Sequence, residues 1–595
     1  NQTIDIDDVS IIQNAALEIG SPYSTADLFQ IEGPQSADIL YLFHGAYRSY
    51  KLLRGGNTKW SLVEVNWSNG PWQNSNTNTA LSLKPAATTG VDIGIIASGF
   101  SPFDAESVGQ LVRINNKATG TDYGYGRIVS VESDQNATID IIRDFQTTNA
   151  TEDYAFGDWS DIRGWPQSGA FFEQRLLVAA TNTQPQTKWY SQTGDFENHT
   201  PDDNKGVVGD SDALDYTISA DDVNAIQWLS PGLQLVVGTT GGEWIPTSNG
   251  AVITPTDIDV KRHTKHGSAK VQPIRIGHVV LFLQKALRKV REFAFHFEVD
   301  GNRAFDMTRL ARDVTRSGVT EMDFAQEPNS LLWNVRNDGV VATLTYLRDE
   351  DVVGWSRQIL GGSFGTGDAE VESVAVIPGN DTTGSIGRDE VWLIVKRTIN
   401  GATKRYVEFI EADFEVGDTQ ADAFYVDSGL SYSGSATTAI VGLAHLAGET
   451  VAVWGDGAVQ PSVVVNPEGE LKLQQAVSTA IIGLPFTSRI KTLKLEGGGS
   501  AGTIIGKQKK IFATTMILLN AHTAKIGPDT ANLIEFDFRE VSDPMDAGTP
   551  LFTGEFFREF EGDFTSDARF IIETSAPAPF TLLGLAPEVE LHDQT

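Results

Sequence analysis

One short unit recurs along this chain and narrows what it can fold into. Residues 329–359, NSLLWNVRNDGVVATLTYLRDEDVVGWSRQI, set an apolar run (Leu331, Leu332, Trp333, Val335) against the turn Asn337-Asp338-Gly339. A second run from Val340 to Leu347, a charged turn and a third run ending on Trp355 follow. Runs of this length, rich in β-branched and aromatic residues and bounded by turn formers, predict antiparallel strands. The pattern returns at 36–65, with Trp60 near the place of Trp355, and at 174–199, 225–245, 278–297 and 389–410. Three- or four-stranded units cannot bury both faces alone, and stacking them radially gives a β-propeller with only short edges. Six candidate blades are countable, and their irregular turns match no WD40-type repeat. A chain of β-sandwiches is the alternative fold.

Two segments break the repeat. Residues 95–155 contain GQLVRINNKATGTDYGYGRIVSVESDQNATIDIIRDF, a compact run of strands with its own turns, expected as a small inserted β-barrel domain. After about residue 430 the Gly/Ser-rich SGLSYSGSAT marks an expected boundary. Beyond it, strands alternate around a Gly-Asp-Gly turn, as in a sandwich-like domain. The expected division is therefore 1–94 (first propeller part), 95–155 (insert), 156–430 (remaining blades) and 431–595 (C-terminal β domain). Helix is scarce; residues 305–317, with Met307, Leu310, Ala311 and Val314 on one face, are a short candidate.

Length and charge bound the rest. At 595 residues the chain exceeds one core, so several domains are expected. No apolar run approaches the 18 or so residues of a membrane-crossing helix. The absence of cysteine removes disulfides, thiolate zinc sites and cysteine nucleophiles together. The net charge of −33 argues against binding through phosphate neutralisation and suits solubility, or a surface that DNA passes without sticking. The chain opens at Asn1 with neither an initiator Met nor a signal-peptide pattern, as expected of a processed chain or one preceded by a further segment.

Motifs for chemistry are few. GGGSAGTIIGKQKK (497–510) departs from a phosphate-binding loop twice: Ala501 stands where Gly is required before Gly506-Lys507, and Gln508 follows where Ser or Thr would hold magnesium. A turn between strands is the expectation. His263 and His266 lack a nearby third ligand, so a solvated basic loop is expected there. Acidic dipeptides are too common among 78 Asp and Glu to mark a glycosidase pair. Tryptophans 165, 189, 228, 244, 333, 355 and 392 fall at strand positions, where core packing is favoured over a sugar groove. The Asn-x-Ser/Thr triplets at Asn66, Asn136, Asn149 and Asn198 would be glycan acceptors only in a eukaryotic secretory context. No catalytic residue, cofactor or metal site is expected.

A longer set of residues carries a resemblance. In order, these are Gly164-Trp165-Pro166, Ala170 to Leu176, Gln184-Pro185-Gln186-Thr187, Ser191 and Gly194-Asp195-Phe196-Glu197-Asn198. Asn224-Ala225-Ile226, Gly241-Gly242-Glu243-Trp244, Val271-Gln272-Pro273 and Arg288 to Phe293 follow. Gly483 to Ser488, Asp543-Pro544-Met545-Asp546 and Leu551 to Gly554 complete it. The whole resembles the tail nozzle (tail tubular B-type) proteins of short-tailed bacteriophages over most of residues 30–590. Relatives carry a β-rich segment ahead of the position of residue 1. The resemblance implies a decorated β-propeller in the virion tail, assembled as a homohexameric ring that meets adaptor or head–tail connector proteins and tail fibres or tailspikes. It implies a structural, non-enzymatic protein through which duplex DNA passes transiently. A polysaccharide-binding or depolymerising tail protein is the alternative.

Overall fold

The computed structural model describes residues 3–6, 9–12, 18–250, 252–379, 387–499, 502–544 and 547–592. Among them the chain is all-β and propeller-like: strands form antiparallel sheets, and every helical segment is a three-residue 3-10 turn. Two compact units divide it, residues 1–322 and 323–595.

Each of the six recurring sequence units lies in its own sheet. Four of these blades occupy 35–64, 168–217, 226–264 and 274–306, each a four-stranded meander in sequence order. The fifth, 319–358, has a first strand that spans the boundary between units; the sixth, 370–409, has three strands. In the fifth, Leu331–Arg336 pairs with Val341–Leu347 across Gly339, whose φ of 76° is the left-handed backbone that this tight turn demands.

Blades stack through apolar faces. Within the first unit, Tyr41 and Phe43 of the first blade pack with Leu176, Val178 and Trp189 of the second. Leu177 and Tyr190, on the opposite face of that second sheet, pack with Leu229, Val237 and Trp244 of the third. Trp228 and Ile245 then meet Phe282 and Phe293 of the fourth. Strand alternation produces this relay: neighbours along one strand serve opposite interfaces. A sheet covered on both sides is mostly apolar, and Arg175–Ala179 and Val279–Leu283 are buried at every position, Arg175 being the charged exception. In the second unit, Trp333 and Val335 of the fifth blade pack with Val371, Leu393 and Val395 of the sixth.

The segment between the first two blades is a six-stranded sheet over 82–156, starting ahead of the expected 95–155. Its edges meet through a single bridge between Leu83 of the first strand and Thr151, just ahead of the last, which exchange backbone hydrogen bonds of 3.0 Å in both directions and close the sheet. Leu83, Ile95, Val112, Ile128 and Ile139 fill its interior. The Ser/Gly-rich stretch near 430 belongs to the first sheet of the C-terminal part. It forms Asp427–Ile440, an edge strand paired with Leu471–Leu484, so the expected boundary at 430/431 falls inside a strand. Small polar residues suit it because most of that strand faces solvent. Asp456-Gly457, both at positive φ, turn the next hairpin as anticipated. Among the described residues of 488–592, a four-stranded and a three-stranded sheet pack through Met516, Leu518, Ile526, Phe536 and Ile572, beside a small two-stranded hairpin.

The expected helix at 305–317 is absent. Asp306 ends a strand, and the carboxylate accepts from the Thr308 amide and hydroxyl. Successive turns follow, with Ala311 donating to Thr308 O and Val314 to Ala311 O. Leu310, assigned to the apolar face, is 99% exposed. Asp and Thr compete locally for backbone hydrogen bonds and hold the chain in turns.

Candidate functional site

The residues that carry the resemblance between 164 and 198 converge on one place in the first unit, where the closed insert meets the first two blades. The insert's flanks are pinned by backbone: Ser68 N–H donates to Glu197 O, His199 N–H to Asn69 O, and Asp158 N–H to Pro71 O. Three carboxylates and one guanidinium organise the side chains.

Glu197 accepts from Lys51 Nζ at 2.5 Å and Tyr41 Oη at 3.1 Å, tying the 191–213 loop to the first blade. Asp158 accepts from Gln184 Nε2 at 2.7 Å, Arg163 Nη2 at 3.3 Å and Trp189 Nε1 at 3.3 Å. Asp161 takes Trp165 Nε1 at 2.8 Å and Arg48 Nη2 at 3.0 Å. Arg175 is buried and donates to three backbone carbonyls, of Ser191 (2.6 Å), Asp212 (2.7 Å) and Asp210 (2.8 Å). Burial pushes its guanidinium below the usual range. The guanidinium satisfies loop carbonyls that no strand ladder reaches.

Rings fill the space between. Trp67 and Trp159 meet edge to face at 4.6 Å, Trp159 and Trp189 at 5.6 Å, and His199 lies 5.0 Å from Trp159. Burial drives the His199 imidazole down to about 3, so it is neutral at physiological pH. Two cavities open here, each of about 10 Å³, one beside Trp67, Arg127 and Trp159, the other beside Trp72, Tyr190 and His199. Each has room for about one water molecule, far below what a substrate needs.

Two further buried ionisable groups flank the joint. Lys188 is fully buried, lies 4.9 Å from the Tyr216 ring, and is pushed down to about 7 by burial. Glu32 is pushed up to about 7 by burial, opposed by the Lys270 charge and the neighbouring Ser168 side chain. Nearby, Asp27 accepts from Ser24 and Tyr47, which hold its carboxyl down at about 2. Enclosed groups such as Lys188 and Glu32 act on stability and register more readily than on a reactant.

The sequence motifs weighed for chemistry scatter. In the Gly-rich 497–510 stretch, Gly498–Gly499 and Gly502–Thr503 pair as a small hairpin, while Ser500 and Ala501 lie outside the described residues. Lys509 is buried there, held by Leu495 O at 2.9 Å, Ile504 O at 3.2 Å and Glu496 at 3.2 Å. That is a structural anchor for a hairpin, unlike a phosphate-facing lysine. His263 sits on the strand Asp259–Thr264 beside Asn302, and His266 lies beyond it. Among the described residues no group of three or more His, Cys, Asp or Glu is placed to hold a metal. Trp165, Trp189, Trp228, Trp244 and Trp333 are buried in cores, and Trp355 and Trp392 are half-buried. Asn198 is held by Gln192 and Asp195. Met545 and Asp546 lie outside the described residues. Sequence reading missed Lys188, Glu32 and His199; their burial comes from sheets stacked on both sides, which local pattern does not reveal.

No family model and no curated protein matches the chain. Among solved structures it is similar to the β-propeller domain of Cps50 (Swd1) from Myceliophteria thermophila, at 12% identity and TM-score 0.25, over 52% of this chain and 88% of that one. It is also similar to a protein from Lactobacillus plantarum, at 9% identity and TM-score 0.22, over 56% and 100%. A third is the phage phi92 endosialidase, at 12% identity and TM-score 0.18, over 66% and 60%. At such scores none of them lends this chain a function.

Proposed function

We propose that this chain is a structural subunit of the tail nozzle of a short-tailed bacteriophage, one copy of a homohexameric ring in the virion tail. DNA leaves through the ring, which adaptor proteins hold from above and tail fibres or tailspikes flank. The observation that carries this reading is where the resemblance falls. Its densest motifs, Gly164 to Asn198, are occupied in bracing one joint, with Arg175, Glu197 and Asp158 spent on loop carbonyls and neighbouring side chains. Side chains spent in this way hold sheets and loops in register, as a structural subunit requires. The −33 charge supports it too: a wall that neutralises phosphates releases counterions and holds DNA, whereas an acidic wall lets it slip. Carboxylates are accordingly expected to outnumber Lys and Arg along the opening.

Electron-microscopic class averages of the purified protein test the reading. A six-fold ring with an open axis is expected. A monomer at all concentrations, or release of sugar from a capsule polysaccharide by the purified protein, overturns it.

A further inference from the structure

The charge of this acidic protein is not evenly spread. Residues 260–316 hold thirteen Lys and Arg against five Asp and Glu, while residues 535–590 hold thirteen Asp and Glu against three Arg. The first stretch belongs to the first unit and the second to the second.

The basic stretch gathers at one end of the fourth blade, where three loops are tied together. Lys285 N–H donates to Gly267 O, Gln284 Nε2 to His266 O, and Thr315 Oγ1 to Arg288 O. Arg288, Arg309, Arg312 and Arg316 are exposed there, and Leu310 stands among them at 99% exposure. An isolated exposed leucine needs no explanation, but one set between Arg309 and Arg312 in a mainly basic loop is a small apolar contact with a charged rim.

The acidic stretch presents the complement on the outer face of a three-stranded sheet. Register places Glu559 and Glu588 on either side of Ala513, Phe557 beside Thr515, and Glu555 beside Ile517. Phe557 is 49% exposed and Ile517 45%, and the three glutamates are exposed around them. The opposite face of the same strands packs inward through Phe552, Phe556 and Met516. An apolar centre with an anionic rim matches an apolar centre with a cationic rim.

We propose that the basic loop cluster of one copy docks on this acidic sheet face of a second copy. Two different patches meeting form a heterologous contact, which repeats head to tail and closes into a ring when the rotation permits. Opposite charge steers and registers the pair, and Leu310 gains an apolar seat that a phosphate backbone would not offer. The closure, though not the contact, rests on the ring reading above.

Sedimentation velocity on the full chain tests this with two variants. One carries Arg309→Glu, Arg312→Glu and Arg316→Glu; the other carries Glu555→Lys, Glu559→Lys and Glu588→Lys. Each alone is expected to weaken self-association by roughly a hundredfold, since like charges then face each other. Mixed in equal amounts they are expected to reassemble, because each reversed patch now meets a reversed partner; a misfolded variant would not be rescued so. A ring unchanged by both variants overturns the contact while leaving the ring reading intact. Open chains abolished by each variant support the contact and sink the ring. A wild-type protein that stays monomeric overturns both, as does a basic cluster that retains duplex DNA without self-association.

Discussion

Replacing Glu32 with Gln should change how the stability of the first unit depends on pH. The Glu32 backbone exchanges hydrogen bonds with Phe43 (2.9 and 2.7 Å), which fixes the side chain in the interior at 8% exposure. Lys270 and Ser168 are its compensating partners, and they do not offset burial, so the carboxyl is raised from 4.5 to about 7. The sign follows from proton uptake. Below pH 4.5 both folded and unfolded chains hold the proton and no penalty exists. As pH rises to about 7 the unfolded chain ionises first, and stability is lost across that window. A shift of this size corresponds to about 3 kcal/mol at most once ionisation is complete. Glu32→Gln keeps the shape and cannot ionise. Its stability relative to wild type should therefore climb by up to about 3 kcal/mol between pH 4 and pH 8 and then level. Any fixed cost of the amide is the same at every pH, so the slope carries the test. Urea unfolding at a series of pH values, followed by tryptophan fluorescence, reads it. A difference between the two proteins that stays flat across this range refutes the reasoning.

Three other outcomes are expected. Gly238→Ala places a Cβ 2.1 Å from the Trp228 ring, so it should destabilise the third blade by about 1–3 kcal/mol in the same unfolding assay. Arg175→Met strands three loop carbonyls and should cost about 3 kcal/mol, with faster proteolysis in the 191–213 loop as the independent readout. Residues 78–157 expressed alone should unfold cooperatively on heating, because the closed sheet has its own core; a featureless melt would show that the blades are required.

The blades were legible because their signal is local. Runs such as Leu331–Arg336 and turns such as Asn337-Asp338-Gly339 or Asp456-Gly457 state strand and reversal within a dozen residues. Local signals with two physical outcomes were harder to read. Ser and Gly near 430 suit a linker and also suit a solvent-facing edge strand, and pairing with Leu471–Leu484 decided between them. The apolar spacing over 305–317 suits one helical face, but Asp306 and Thr308 satisfied the backbone in turns first. The joint was not legible at all. Trp189 was expected in a core, yet nothing in its neighbourhood announces Asp158, thirty-one residues earlier, as the acceptor of its indole N–H.

That joint also explains why polar groups are retained at so buried a place. The blade interfaces are made of Leu, Val, Ile and aromatic side chains, and apolar contact is non-directional: a sheet slid by two residues would bury nearly as much surface. Arg175 donating to three carbonyls, Glu197 bridging Lys51 and Tyr41, and Asp158 gathering Gln184, Arg163 and Trp189 each have one geometry that satisfies them. Any other seating of the first two blades and the 191–213 loop leaves these charged groups unpaired, which costs up to several kcal/mol for a buried one. The apolar faces thus supply adhesion and the polar joint supplies register. A subunit whose neighbours must meet it in one fixed orientation depends on that second contribution, because an error in seating at one joint would be passed to every contact that follows it.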